Sequence, residues 1–272
     1  MLKVLRTKLL LPLLLALSLQ PASLALAQDI KLPEQLKPCD CLECLKKYKL
    51  NAKAERKAYE DALPRALKAI QQEMDYFNSH PEYAKGKILF CQLWSSYEDE
   101  INLVREVEIP KIQKDIFGDD RKCGTLAGGG TNPATCEIDQ DMAGLNMISA
   151  PCEQIHLAIL AHELVHAEDC EWNQKKPDWL NNGGKSCNEA FAGKTPPTPE
   201  QLFDFVKFTY RTEEHAHRIE SQVESLLANE LTKQCKPGDY SAQMAKHMPE
   251  AAKFLKRARE YELKFPEEAA TQ

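Results

Sequence analysis

All ten cysteines of this 272-residue chain lie beyond residue 27, and that placement constrains the fold more than any other feature. The segment ahead of them has the physical make-up of an export signal. Lys3, Arg6 and Lys8 precede a leucine-rich run from Leu9 to Leu19, and Ala25-Leu26-Ala27 supplies a small-x-small cleavage site. Pro12 interrupts the run, which is short for a spanning helix, so residues 1–27 read as a cleaved leader that leaves no stable membrane anchor. An even number of cysteines in an exported chain, periplasmic or extracellular, favours disulfides over reduced thiols. Connectivity cannot be read from the sequence, although the short intervals Cys123 to Cys136 and Cys170 to Cys187 are natural local loops to staple. Cys39, Cys41 and Cys44 have the spacing of a metal knuckle but lack a second cysteine pair at comparable spacing, so bridges are expected there too.

Cleavage after Ala27 leaves 32 basic against 41 acidic residues, a net charge of −9. That balance argues against nucleic acid or an anionic membrane surface as the main partner. The remaining length can bury a substantial core. From Leu45 to about Asn78 the chain is rich in Ala, Lys, Glu and Leu at helical spacing, with Pro64 expected to start or kink a helix. A second helical pattern runs from about Ile88 to Phe117 and is broken at Pro110. Together they predict an antiparallel helical hairpin within residues 28–117, either a packing module or an inhibitory segment.

Residues 118–272 open with a loop, Gly118 to Thr135, followed by short strand candidates at Thr135 to Asp139 and Leu145 to Ala150 that predict a small β-hairpin. The class expected is therefore mainly α with a little β. A central helix runs from Pro151 or Cys152 to about Asp169. Ile155, Ile159, His162, His166 and Asp169 share one face of it and Leu157, Leu160 and Leu164 the other, so it should be buried on both sides. After a polar loop, Thr198 is placed to cap a helix from about Glu200 to Lys233 with a core face through Phe205, Thr209, Ala216, Val223 and Leu227. One more amphipathic helix is expected from about Ser241 to Lys264.

The central helix carries His162-Glu163-Leu164-Val165-His166. Histidines four residues apart stack on one helical face and can reach one metal ion. Glu163, about 100° around the helix from His162, can address water at that metal without ligating it. A hydrolytic zinc site needs a third protein ligand, and the helix that follows the polar loop offers Glu213, Glu214 and Glu220. Glu213 and Glu220 lie near the core direction and Glu214 faces water. The chain resembles the zincin metallopeptidases, and among them the gluzincin group, in which a glutamate from a later helix joins the two histidines. Glu213 followed by Ala216 matches that group's pattern, whereas Ala167-Glu168-Asp169-Cys170 departs from the metzincin one.

The resemblance implies one Zn²⁺ held by His162, His166 and Glu213, with Glu220 the alternative, and Glu163 as general base in hydrolysis of a peptide or protein substrate. His217 and Tyr210 are candidate donors to the oxyanion, and Asp169 a candidate acceptor orienting a ligand imidazole. Two other readings compete. The histidines could be buried residues of a disulfide-stapled helical binding protein, or ligands of a zinc module without catalysis. Substrate preference and oligomeric state are not encoded in any motif.

Overall fold

Pro38, at the first position of a helix where its missing N–H costs nothing, opens the 42-residue α1 (Pro38–Ser79). The computed structural model describes residues 36–82, 86–118, 121–123, 130–132, 135–138, 152–172, 187–191, 195–235 and 244–262. The proposed leader, the strand candidate at residues 145–150 and most of the polar loop lie outside them. All described elements fall within one compact unit, Pro33–Gln272. After α1 come α2 (Lys87–Asn102), a π-helical turn (Leu103–Glu108), α3 (Ile109–Phe117), a 3₁₀ turn (Arg121–Cys123), α4 (Glu153–Trp172), the short α5 (Cys187–Ala190), α6 (Pro199–Cys235), the short α7 (Met244–His247) and α8 (Pro249–Glu262).

Pro64 does not interrupt α1. The cost of roughly 3 kcal/mol for an interior proline is offset by a buried stripe at helical spacing that includes Leu45, Tyr48, Ala52, Tyr59, Ala62, Ala66 and Ile70. Pro110 acts differently from a simple break. Its ring would collide with the carbonyl of Glu106, and the wider π turn just before it absorbs the conflict, with the Ile109 amide donating to the Val104 carbonyl.

α1 packs against both α2 and α6, giving the expected hairpin and a second long partner. Two cores result. One gathers Leu45 and Tyr48 of α1, Ile155, Leu157 and Leu160 of α4, Ile219, Val223 and Leu227 of α6, and Phe254 of α8. The other gathers Tyr59, Ala62 and Ile70 of α1, Phe90, Leu93 and Tyr97 of α2, and Leu202, Val206 and Tyr210 of α6. α6 begins with a reciprocal cap: the Gln201 amide donates to Thr198 Oγ1 at 3.3 Å and the Thr198 amide to Gln201 Oε1 at 2.8 Å. α4 is buried on all sides, as its two apolar faces require.

The β-hairpin is not seen among the described residues, which leave out its second strand candidate. Among the described residues there is no strand, only a single antiparallel bridge between Thr131 and Ile138. Cys136 takes a left-handed conformation (φ 61°), which ends extended geometry within the first strand candidate. The disulfide connectivity, open at the level of sequence, joins distant cysteines and closes neither short interval. The bridges are Cys39–Cys235, Cys41–Cys152, Cys44–Cys123, Cys91–Cys187 and Cys136–Cys170. Cys187 sits on α5, which packs on α2, and Cys170 lies in the last turns of α4 beside the 130–138 segment. Five bridges fit an oxidising compartment, and no described helix is long and apolar enough to cross a membrane.

His156, deep in α4, is held neutral because burial pushes its pKa down to about 4. An unfolded histidine titrates near 6.5, so the unfolded chain takes up the proton first and stability falls as pH drops from about 6.5 towards about 4. The loss amounts to roughly 3 kcal/mol when complete. His156→Gln is expected to flatten the difference between urea midpoints measured at pH 7 and pH 4.5; an equally steep loss in the variant would count against it.

Candidate functional site

α1 and α6 run antiparallel through both cores, and the site lies where the cores meet. His162, Glu163 and His166 reach it from α4, and Thr212, Glu213, His217 and Glu220 from α6. The Nε2 atoms of His162 and His166 face each other at 3.0 Å. Glu213 Oε2 lies 3.5 Å from His166 Nε2, so three candidate donors converge on one point.

Each of the three has a partner on its far side. His162 Nδ1 donates to Glu220 Oε2 at 3.0 Å. His166 Nδ1 meets Thr212 Oγ1 at 3.2 Å, and that hydroxyl donates its one proton to Asp169 Oδ2 at 2.8 Å, so it must accept from the imidazole. Glu213 Oε1 accepts from Arg105 Nη2 at 3.0 Å. These contacts put the ring proton of both histidines on Nδ1 and turn two Nε2 lone pairs towards each other. Such an arrangement calls for a cation between them, either an added proton or a metal ion. The electrostatics agree: burial opposes charge on His166, yet Glu213 raises its pKa. Burial likewise opposes ionisation of Glu213, but His166 and then Arg105 hold its carboxyl well below the usual range.

The opposite side of His162 is drier and already satisfied. Burial disfavours charge on His217, but its hydrogen bond to Glu220 at 3.0 Å and the charges of Glu220 and Glu55 raise its pKa to about 9. Its Nε2 lies 3.4 Å from Glu55 Oε2, and its ring stacks on Tyr59 with centroids 5.7 Å apart. Burial pushes Glu220 up, yet the His162 and His217 contacts bring it down to about 2. His162, His217 and Glu220 are also close enough to hold a metal, but these contacts read as hydrogen bonds to one carboxylate oxygen.

Glu163 is nearly enclosed, 7% exposed, and its Oε2 accepts from Thr131 Oγ1 at 2.9 Å. The Cys136–Cys170 bridge ties the segment carrying Thr131 to the end of α4. Asp169 reaches His166 only through the Thr212 hydroxyl, and its direct imidazole contact is to His215. Both ring nitrogens of His217 face carboxylates, which leaves it no free donor. Tyr210 packs edge-on against Tyr59 in the second core, with its hydroxyl unpartnered among the described residues. Glu214 pairs with Arg56 at 2.7 Å.

No family model, curated protein or solved structure matches the chain. The chemistry of these side chains is therefore the guide to function. Arg105, Thr131, Thr212 and Glu55 carry no sequence signal. Each is an ordinary polar residue until the fold sets it beside α4, although Thr212 adjoins the selected Glu213. Arg105 projects from the π turn, a distortion that often marks functional positions.

Proposed function

We propose that the chain is an exported zinc-dependent peptidase, with Zn²⁺ held by His162, His166 and Glu213. The observation that carries this reading is the pair of Nε2 atoms 3.0 Å apart, both turned inward by far-side partners. Ligands about 2.0–2.1 Å from tetrahedral zinc stand roughly 3.3 Å apart, and the separations of 3.0 and 3.5 Å bracket that value. Glu213 is favoured over Glu220 because it meets the histidines on their inward nitrogens, whereas Glu220 occupies Nδ1 of His162. Far-side carboxylate and hydroxyl partners of this kind raise ligand basicity and fix ring orientation.

Zinc at this point would supply a positive charge that polarises a peptide carbonyl and acidifies water to a pKa near ~7. Glu163 takes the proton from the attacking water and delivers it to the leaving amine. Thr131 holds the glutamate carboxylate in place for both transfers. Arg105, with its side chain 48% exposed beside Glu213, gives the site its cationic rim on the solvent side.

Zinc per chain, measured together with cleavage of an unstructured protein, tests the reading. His162→Ala is expected to lose both, and a purified wild-type chain that takes up no zinc sinks the proposal. The ligand assignment has its own test. Glu213→Ala should weaken zinc binding far more than Glu220→Ala, and Thr212→Val should weaken it by about 10–100-fold through the lost orientation of His166. Unchanged affinity in Glu213→Ala would transfer the third position to another residue.

A further inference from the structure

The attack of water on a peptide carbonyl leaves negative charge on the carbonyl oxygen, and that oxygen needs a donor from the protein besides the metal. Neither residue expected from the sequence to supply one is placed to do so. His217 has both ring nitrogens turned to Glu55 and Glu220, and Tyr210 is sealed in the second core, 1% exposed. Thr131 and Thr212 spend their single hydroxyl protons on Glu163 and Asp169.

Arg105 has donors to spare. A guanidinium carries five N–H groups in a fixed fork and is charged at every working pH. Nη2 donates to Glu213 Oε1 at 3.0 Å, and the Tyr59 hydroxyl accepts from the same guanidinium, so the fork is held on two sides. The backbone beneath it is fixed as well, because Val104, its neighbour in the π turn, is fully buried in the second core. Glu213 turns its other oxygen to His166, so a single carboxylate separates the guanidinium from the point where the donors converge. Side-chain exposure rises in the same direction, from 12–16% at His162, Glu213 and His166 to 48% at Arg105. A substrate entering from solvent on this side meets the guanidinium beside the donor point.

We infer that Arg105 is a catalytic residue of the proposed peptidase, donating to the carbonyl oxygen of the scissile peptide as charge develops there. This role rests on the zinc reading above. When the water oxygen bonds to the carbonyl carbon, the π pair of the C=O bond moves onto its oxygen and the water proton goes to Glu163. The N–H groups of Arg105 then face a full negative charge where the substrate presented only a carbonyl dipole. The contact therefore strengthens along the reaction, which raises kcat rather than lowering KM. Arginine suits the place better than lysine would, because a planar, weakly hydrated fork can serve Glu213 and the substrate oxygen at once.

Arg105→Gln in the full mature chain tests it, with zinc brought to one per chain by excess Zn²⁺ before assay. On an unstructured protein substrate kcat is expected to fall about 10²–10³-fold, with KM within about threefold of wild type. The second readout is binding alone. Calorimetric affinity for a phosphinate peptide, whose charged oxygens stand in for the oxyanion, should fall by the same factor as kcat/KM. Arg105→Lys keeps the charge without the fork; it should lie between wild type and Arg105→Gln in both readouts, and it serves if the first variant does not fold. A role limited to propping Glu213 predicts otherwise: zinc affinity would drop, but kcat and phosphinate affinity would return to wild-type values once the metal is restored. That result overturns the inference and leaves the zinc reading intact, whereas a wild-type chain that takes up no zinc overturns both.

Discussion

Glu163→Gln is expected to keep one zinc per chain and lose peptide cleavage by about 10²–10⁴-fold, the usual contribution of a positioned general base. The amide matches the carboxylate in shape, and the residue lies outside the proposed ligand set, so binding of the metal should be untouched. It also retains an oxygen to accept from Thr131, so the local contacts of α4 survive. What is lost is basicity alone, which makes the substitution a clean separator of chemistry from binding. A zinc module without catalysis predicts no difference between the two proteins, because Glu163 would then have no task. The measurement is zinc stoichiometry alongside kcat/KM on an unstructured substrate, and a fall of less than about tenfold would remove Glu163 from the mechanism.

A chain beginning near Phe117 is expected not to fold at all. An inhibitory N-terminal segment would release activity on removal. Here, however, α1 supplies part of both cores, and its Glu55 contacts His217 at the edge of the site. The truncation would also strip the partners of Cys235, Cys152, Cys123 and Cys187, four of the five bridges. Bridges closing loops this long are each worth about 4–5 kcal/mol in the chain-entropy estimate, so their joint loss exceeds the stability of an ordinary domain. Circular dichroism and limited proteolysis of the truncated chain give the answer, and a folded, more active fragment would restore the inhibitory reading.

What could be read from sequence was whatever is encoded within a few turns of one helix. The His162–His166 spacing, the two-sided burial of α4, the Thr198 cap and the inward direction of Glu213 and Glu220 all follow from helical periodicity. Pairings between helices were not legible. Nothing local says that Arg105 will meet Glu213, that Thr131 will reach Glu163, or that Cys44 will pair with Cys123. A short apolar alternation such as that at residues 135–138 fits a strand or a tethered loop equally well, and there the left-handed Cys136 leaves only a single bridge at Ile138. Pro64 does not start a new helix, since a single local penalty counts for little in a helix packed along most of its length.

The three cysteines in the opening turns of α1 wait on sulfurs 79 to 196 residues further along the chain. Their nearest neighbours in sequence are each other, so thiols oxidised in order of emergence from a translocation channel would join wrongly. The end of α6 must return to the start of α1 before Cys39 can find Cys235. The interior between α1 and α6 therefore closes only once a cysteine 196 residues downstream has joined the fold. For the peptidase proposed above, late closure would keep the site unformed until α6 has been made.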